Sequence, residues 1–431
     1  MLPWPMSTSH IRARAALALA STLALLMAGC DGGAEAASVP APGEFVTETL
    51  ANGTTLVRHG PLDELPVTHV LEPDLVLGEL DAPEEEHFSQ VSGLSVDSRG
   101  QIHVLDLAAR HVRVFGPDGA WLRTLSRAGE GPGEIQSGNA LLHDAEDLLW
   151  VHDASRRALM ALDREGREVG SAPAPVLGMA PTSRVMQGLD GRFHELTRIA
   201  DPITAGSQSS GLVETSGQMA LLSSTPGGQR GDTLFLSPIS NRLYMAGEEG
   251  RQIMVTVPAQ SSFYGALDPE GHLWTSAGHG RVGEFGLVKM TLAGDTLLRV
   301  EAAVERPRVD QADHREWAER IGSTEILRHL PESGPTISGI VADDQGRIWV
   351  ERAGGRPPLS EHAEDDGPAG TVWDVFDGEG RWMGGVRSGP TLVTVTRPVR
   401  IRDGAMYGIS RGEMNEERVV RMPIPELSPP G

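Results

Sequence analysis

The chain has 431 residues, 59 of them acidic and 37 basic, and a formal charge of −22. A balance this acidic excludes nucleic acid and anionic lipid surfaces as electrostatic partners. With a single cysteine, Cys30, no disulfide framework can form within the chain.

The N-terminus opens with Arg12 and Arg14, followed by the uncharged, Ala- and Leu-rich stretch from Ala15 to Ala28. That stretch falls short of the about 20 residues a membrane-spanning helix needs, and a positive flank plus a short apolar run is the pattern of a signal peptide. It closes on Met27-Ala28-Gly29-Cys30, which resembles the lipobox of bacterial lipoproteins, with Met27 where Leu is usual. The resemblance implies that residues 1–29 are removed and that Cys30 carries a covalent diacylglycerol, the one cofactor-like group expected. It places the protein in the bacterial cell envelope, on the periplasmic side or the cell surface, held to a membrane through its lipid. Asp31 after the cysteine is an inner-membrane retention signal in some of these bacteria. Residues 30–44 lack apolar periodicity and read as a lipidated cysteine and flexible tether.

From residue 45 to 424 one unit recurs. An apolar run ends in Asp, a turn follows, and a second apolar strand leaves it. Val96-Asp97-Ser98-Arg99-Gly100-Gln101-Ile102 is the clearest copy, and further copies start at Asp144, Asp190, Asp268, Asp343 and Asp403. A half-unit of the same kind follows most copies, as at Asp118-Gly119, Asp163 to Gly166, Gly294-Asp295 and Asp377 to Gly380. Asp caps such a turn, Gly takes its positive φ, and the β-branched and aromatic flanks suit half-buried strands. Two hairpins per unit make a four-stranded antiparallel sheet, and the first spacings lie near 40–50 residues, the signature of a propeller blade. The fold class is therefore all-β, a β-propeller of six four-stranded blades. Seven blades arise if residues 231–257 form their own. Residues 67–80 are expected to add an outer strand to the last blade, built from residues 396–424, and so close the ring. Residues 309–321 read as a short surface helix with Trp317 and Ile321 on one face, residues 353–370 as a mobile loop, and 425–431 as a tail.

Phe88 to Ile135, with its Gly129-Glu130-Gly131-Pro132-Gly133-Glu134 link, resembles a unit of the six-bladed bacterial propeller lipoproteins related to NHL repeats. Pro335 to Val350 and Trp373 to Gly384 resemble it too. The resemblance implies the fold over roughly residues 67–424 and brings no catalytic motif with it.

The chemistry-bearing residues read mostly as structure. No Asp/Gly turn carries the alternating ligands of a calcium loop, and no Gly-x-Ser-x-Gly elbow or Ser-x-x-Lys is present. His152, His194, His272 and His279 lie near strand ends without zinc spacing and read as rim residues, although a metal site assembled across blades is the alternative. Trp121, Trp150, Trp274, Trp349, Trp373 and Trp382 read as packing between blades rather than as a sugar-stacking cluster. Glu351-Arg352 stands where other copies have Asp106 or Asp153, which gives the channel mouth a mixed charge. The expected function is a monomeric, non-enzymatic module binding a protein, peptide or glycan, with no metal and no nucleic acid. The alternative is a metal-assisted hydrolase, lactonase or lyase acting at the axis.

Overall fold

Many of the hairpins are set by an aspartate that accepts two backbone N–H groups of its own turn. Asp97 Oδ1 accepts from Arg99 N at 2.9 Å and Gln101 N at 2.8 Å. Asp144, Asp268 and Asp343 repeat the pair at 2.8–3.0 Å. The turn also needs one residue with positive φ, supplied by Gly100 at +74° and Gly346 at +80°. The second copy has no glycine there, and Asp147 adopts +62° instead. Three of these aspartates do a second task. Their other oxygen accepts the indole N–H six residues on: Trp150 to Asp144 at 2.7 Å, Trp274 to Asp268 at 3.0 Å, Trp349 to Asp343 at 2.9 Å. A buried indole is thus satisfied by the same carboxylate that shapes the turn.

The computed structural model describes residues 39–174, 185–200, 211–226, 228, 231–246, 253–257, 263–276, 285–353, 370–394 and 398–428. Residues 1–38, the expected signal peptide and Cys30 among them, together with His279, the span 354–369 and the last three residues, lie outside them. The described residues form six sheets. The first blade takes Val91–Val96, Ile102–Asp106, His111–Phe115 and Trp121–Leu125; the second runs from Gly138–His143 to Glu168–Pro173. The innermost strands of the remaining four are Val185–Gln187, Gly265–Leu267, Ile337–Ala342 and Arg400–Arg402. These six inner strands touch in cyclic order, and Arg400–Arg402 returns to Val91–Val96, so the ring is closed. An apolar cluster fills each of the six blade-to-blade boundaries, which is where the core of this fold resides. Residues 231–257 do not make a seventh blade. Leu234–Ala246 and Ile253–Thr256 are the outer strands of a five-stranded third blade, whose middle strand Gly211–Ser224 is 14 residues long. The helix, α1 (Gln311–Arg320), is capped by Asp310 and packs Trp317 and Ala318 against Tyr244 and Val257.

Ring closure is shared out more widely than one strand. Leu75–Leu77 pairs antiparallel with Glu417–Pro423 and completes the sixth blade. Val67–Leu71, expected on that same blade, instead adds a parallel fifth strand to the fifth blade beside Trp382–Ser388. Thr55–His59 adds a parallel strand to the fourth blade, and Phe45–Thr49 caps it as a wholly exposed edge. The segment walks round the ring from the fourth blade to the sixth, satisfying one outer edge after another. Pro73 and Gly78 punctuate it. Gly78 has φ +89°, and a Cβ there would come 2.7 Å from Glu417 O, so only glycine allows this close approach.

Candidate functional site

The inner strands enclose a cavity of about 490 Å³ on the ring axis. Because each repeat begins with its innermost strand, the wall is made of residues just ahead of each Asp turn. Ser92, Ser95, Asn139, His143 and Gln187 supply polar groups from the first three blades. Arg400 and Arg402 supply them from the sixth, interleaved with Gly, Ala, Val, Leu and Ile positions. Arg402 Nη1 donates to Val96 O at 3.1 Å and Arg400 Nη2 to Leu141 O at 3.2 Å, so the two guanidinium groups tie the sixth blade to the first and second.

The fifth blade differs from the first at two second-strand positions. In register, Gly339 lies opposite Glu351 and Glu351 opposite Trp373, just as Gly93 lies opposite Leu105 in the first blade. Leu105 is core; Glu351, 6 % exposed, lines the cavity, and its Oε1 accepts from Thr394 Oγ1 at 2.6 Å. Gly339 admits this carboxylate, since a Cβ would stand 2.7 Å from Glu351 Oε2. Arg352 holds the place of Asp106 and Asp153. Those two carboxylates each gather four backbone N–H groups at the blade links. Arg352 instead forks onto both oxygens of Asp374 at 2.7 Å and reaches Leu62 O at 3.0 Å.

Among the described residues, His143 is the one imidazole on the cavity wall. Its Nδ1 lies 2.8 Å from Ser95 Oγ, and its ring stands edge-on to His103 with centroids 4.5 Å apart. Burial pushes His143 down to about 4, against the pull of Asp97 and Asp147; burial and then its neighbour His143 push His103 down to about 3. The distance is that of a nucleophile and its base, but a general base works best with a pKa near the ambient pH. At neutral pH His143 is uncharged and a weak proton acceptor. The sign of the linkage follows. Both folded-state values lie below the ordinary 6.5, so the unfolded chain takes up protons that the fold refuses. Stability is unaffected above about pH 6.5 and falls as the pH drops towards 4, by about 3 kcal/mol for His143 alone. His143→Asn, which keeps an acceptor for Ser95, is expected to shallow the stability–pH curve over that window by about one proton's slope in urea titrations. An unchanged slope would show that the imidazole is not buried neutral.

The expected histidine and tryptophan placements hold only in part. His152 and His194 are not rim residues: they are 1 % and 3 % exposed, on second strands between blades. Trp150, Trp274, Trp349, Trp373 and Trp382 are buried as expected, but Trp121 lies on an outermost strand and is 43 % exposed. Among the described residues, the one grouping of three potential metal ligands is Asp268, Glu270 and His272, all within a single turn. Lys289, the sole lysine of the chain, sits in it, its Nζ 3.4 Å from both carboxylates and 5.5 Å from the Trp274 ring centroid. That ammonium already offsets one of the two carboxylate charges. Sequence reasoning did not single out Ser95, His143, Gln187, Arg400 or Arg402. The usable signal was their place on the first strand of each repeat.

No family model matches the chain, and no curated protein does. Among solved structures it is similar to a gluconolactonase from Xanthomonas campestris, at 14% identity over 78% of this chain and 87% of that one, with a TM-score of 0.39. A member of the DUF4221 family from Bacteroides vulgatus shows 11% identity over 84% and 98%, with a TM-score of 0.44. A calcium-binding regucalcin from Agrobacterium tumefaciens shows 11% over 84% and 99%, with a TM-score of 0.39. At these identities and overlaps nothing about activity passes from them to this chain.

Proposed function

We propose that the chain is a lipid-anchored cell-envelope propeller that binds a ligand (a protein segment, a peptide or a glycan) in the cavity on its axis. The observation that carries this reading is the cavity itself. Its volume falls in the range of small-ligand sites, and its wall mixes apolar strand positions with a few convergent polar groups. His143 on the same wall is held weakly basic by burial. The anchor rests on the lipobox-like Met27-Ala28-Gly29-Cys30 and the tether behind it.

Two measurements test the reading. Thermal-shift screening of the mature chain against peptides and saccharides is expected to give ligands that raise the midpoint of the native protein, by mass action on the folded state. Gln187→Trp, which fills the cavity from the third blade, is expected to abolish the shift. Ligands that stabilise both proteins equally would place binding elsewhere. For the anchor, Cys30→Ser is expected to leave an unlipidated precursor and move the mature protein out of the detergent phase in fractionation. A variant that stays fully processed and membrane-bound overturns the lipidation.

A further inference from the structure

We propose that the fifth-blade wall of the cavity is a saccharide subsite, in which Glu351 and Trp373 together hold a sugar hydroxyl. The inference rests on the channel-binding reading and narrows it to one ligand class.

The starting observation is an exception to a rule that the chain otherwise keeps. Of the five tryptophans buried in the blade strands, four give their indole N–H to an aspartate: Trp150, Trp274 and Trp349 to their turn residues, and Trp382 to Asp374 Oδ1 at 2.9 Å. Trp373 is 1 % exposed and lines the cavity, yet its Nε1 has no hydrogen-bond partner. An orphaned buried donor is costly, a cost that a partner entering the cavity would remove. Its neighbour across the strands is Glu351, a carboxylate at the position where the first blade has Leu105, the second His152 and the fourth Ser276. An unpartnered indole donor and a carboxylate thus stand opposite each other on one cavity wall.

The chemistry of the pair selects the ligand. Trp373 Nε1 can only donate, and the carboxylate of Glu351 can only accept. A phosphate or carboxylate would suit the indole but be repelled by Glu351. An ammonium would suit Glu351 but offer the indole nothing. A hydroxyl does both, donating to the carboxylate and accepting from the indole N–H. Polyhydroxylated ligands present several such groups, and the remaining polar lining offers further partners in Ser92 and Gln187. Thr394, on the same wall, donates to the carboxylate and holds it in place.

The test is calorimetric titration of the folded mature chain with a panel of neutral mono- and disaccharides, uronic acids, hexosamines and short peptides. Neutral sugars are expected to bind, and Trp373→Phe and Glu351→Gln are each expected to weaken them about tenfold or more. Trp382→Phe, which removes an indole already bonded to Asp374, is expected to leave affinity unchanged while lowering the melting point. Sugar binding indifferent to both wall variants overturns the subsite. Binding of peptides but of no sugar, abolished by Gln187→Trp, overturns the subsite and leaves the channel reading standing. No binding from the whole panel, with ordered water as the only partner of Trp373, overturns the subsite and counts against the channel reading as well.

Discussion

A chain lacking residues 39–78 is expected to lose cooperative unfolding altogether, whereas one lacking only residues 39–50 is expected to melt within a few degrees of the chain that begins at residue 39. The two deletions differ in what they uncover. Phe45–Thr49 is exposed along its whole length and pairs with one strand, so its loss uncovers little. The longer deletion removes Leu56, Val57, Leu62, Leu71 and Leu77, each no more than 4 % exposed. At about 1.5–3 kcal/mol for each buried side chain, that loss matches or exceeds the stability of an ordinary domain. It also strips the outer strand from the sixth blade, next to the boundary that Leu77 shares with Val419 and Phe88. Circular dichroism melting and size exclusion of the two truncations decide the matter. A cooperative transition in the longer deletion, at the midpoint of the chain that begins at residue 39, would show that the ring does not depend on its N-terminal strands.

The second large effect is expected at Asp343. Asp343→Ala removes the acceptor of Gln345 N, Arg347 N, the Arg347 guanidinium at 2.6 Å and the Trp349 indole, and leaves the last two without their partner inside the fold. Breaking a buried charge pair of this kind costs about 3–5 kcal/mol. Asp163 supplies the control. It shapes the same turn and binds Arg167 in the same way, but at the surface and with no indole. Asp163→Ala is expected to cost about 1 kcal/mol, the value of a lost cap. Chemical denaturation of both variants measures the difference. Equal losses would mean that the indole contact adds nothing to the turn.

The turns were legible because their physics is local. An aspartate that bonds residues two and four positions on, and an indole six positions on, leaves its mark within one short window. The same holds for α1, whose cap Asp310 and buried Trp317 lie within a single stretch. The third blade was harder to count, since Gly211–Ser224 and Leu234–Ala246 are more than twice the length of most strands and blur the spacing.

His152 and His194 were misplaced for a different reason. Their position on a second strand is visible in the sequence, but whether that position faces solvent depends on the neighbouring blade. The parallel pairing of Val67–Leu71 with Trp382–Ser388 joins segments more than 300 residues apart, and no local pattern encodes it. The cavity wall is the extreme case. Ser95 meets His143 from the next blade, Arg400 meets Leu141 across the ring, and Trp373 is known to lack a partner only once every neighbour is in place. The amino-acid sequence by itself determined the all-β repeat, the turn chemistry and the lipobox-like end, because each is written in residues a few positions apart. Only the tertiary structure decided which outer edge each N-terminal strand covers and which side chains face the axis, because closing a ring sets those contacts between residues that the chain keeps far apart.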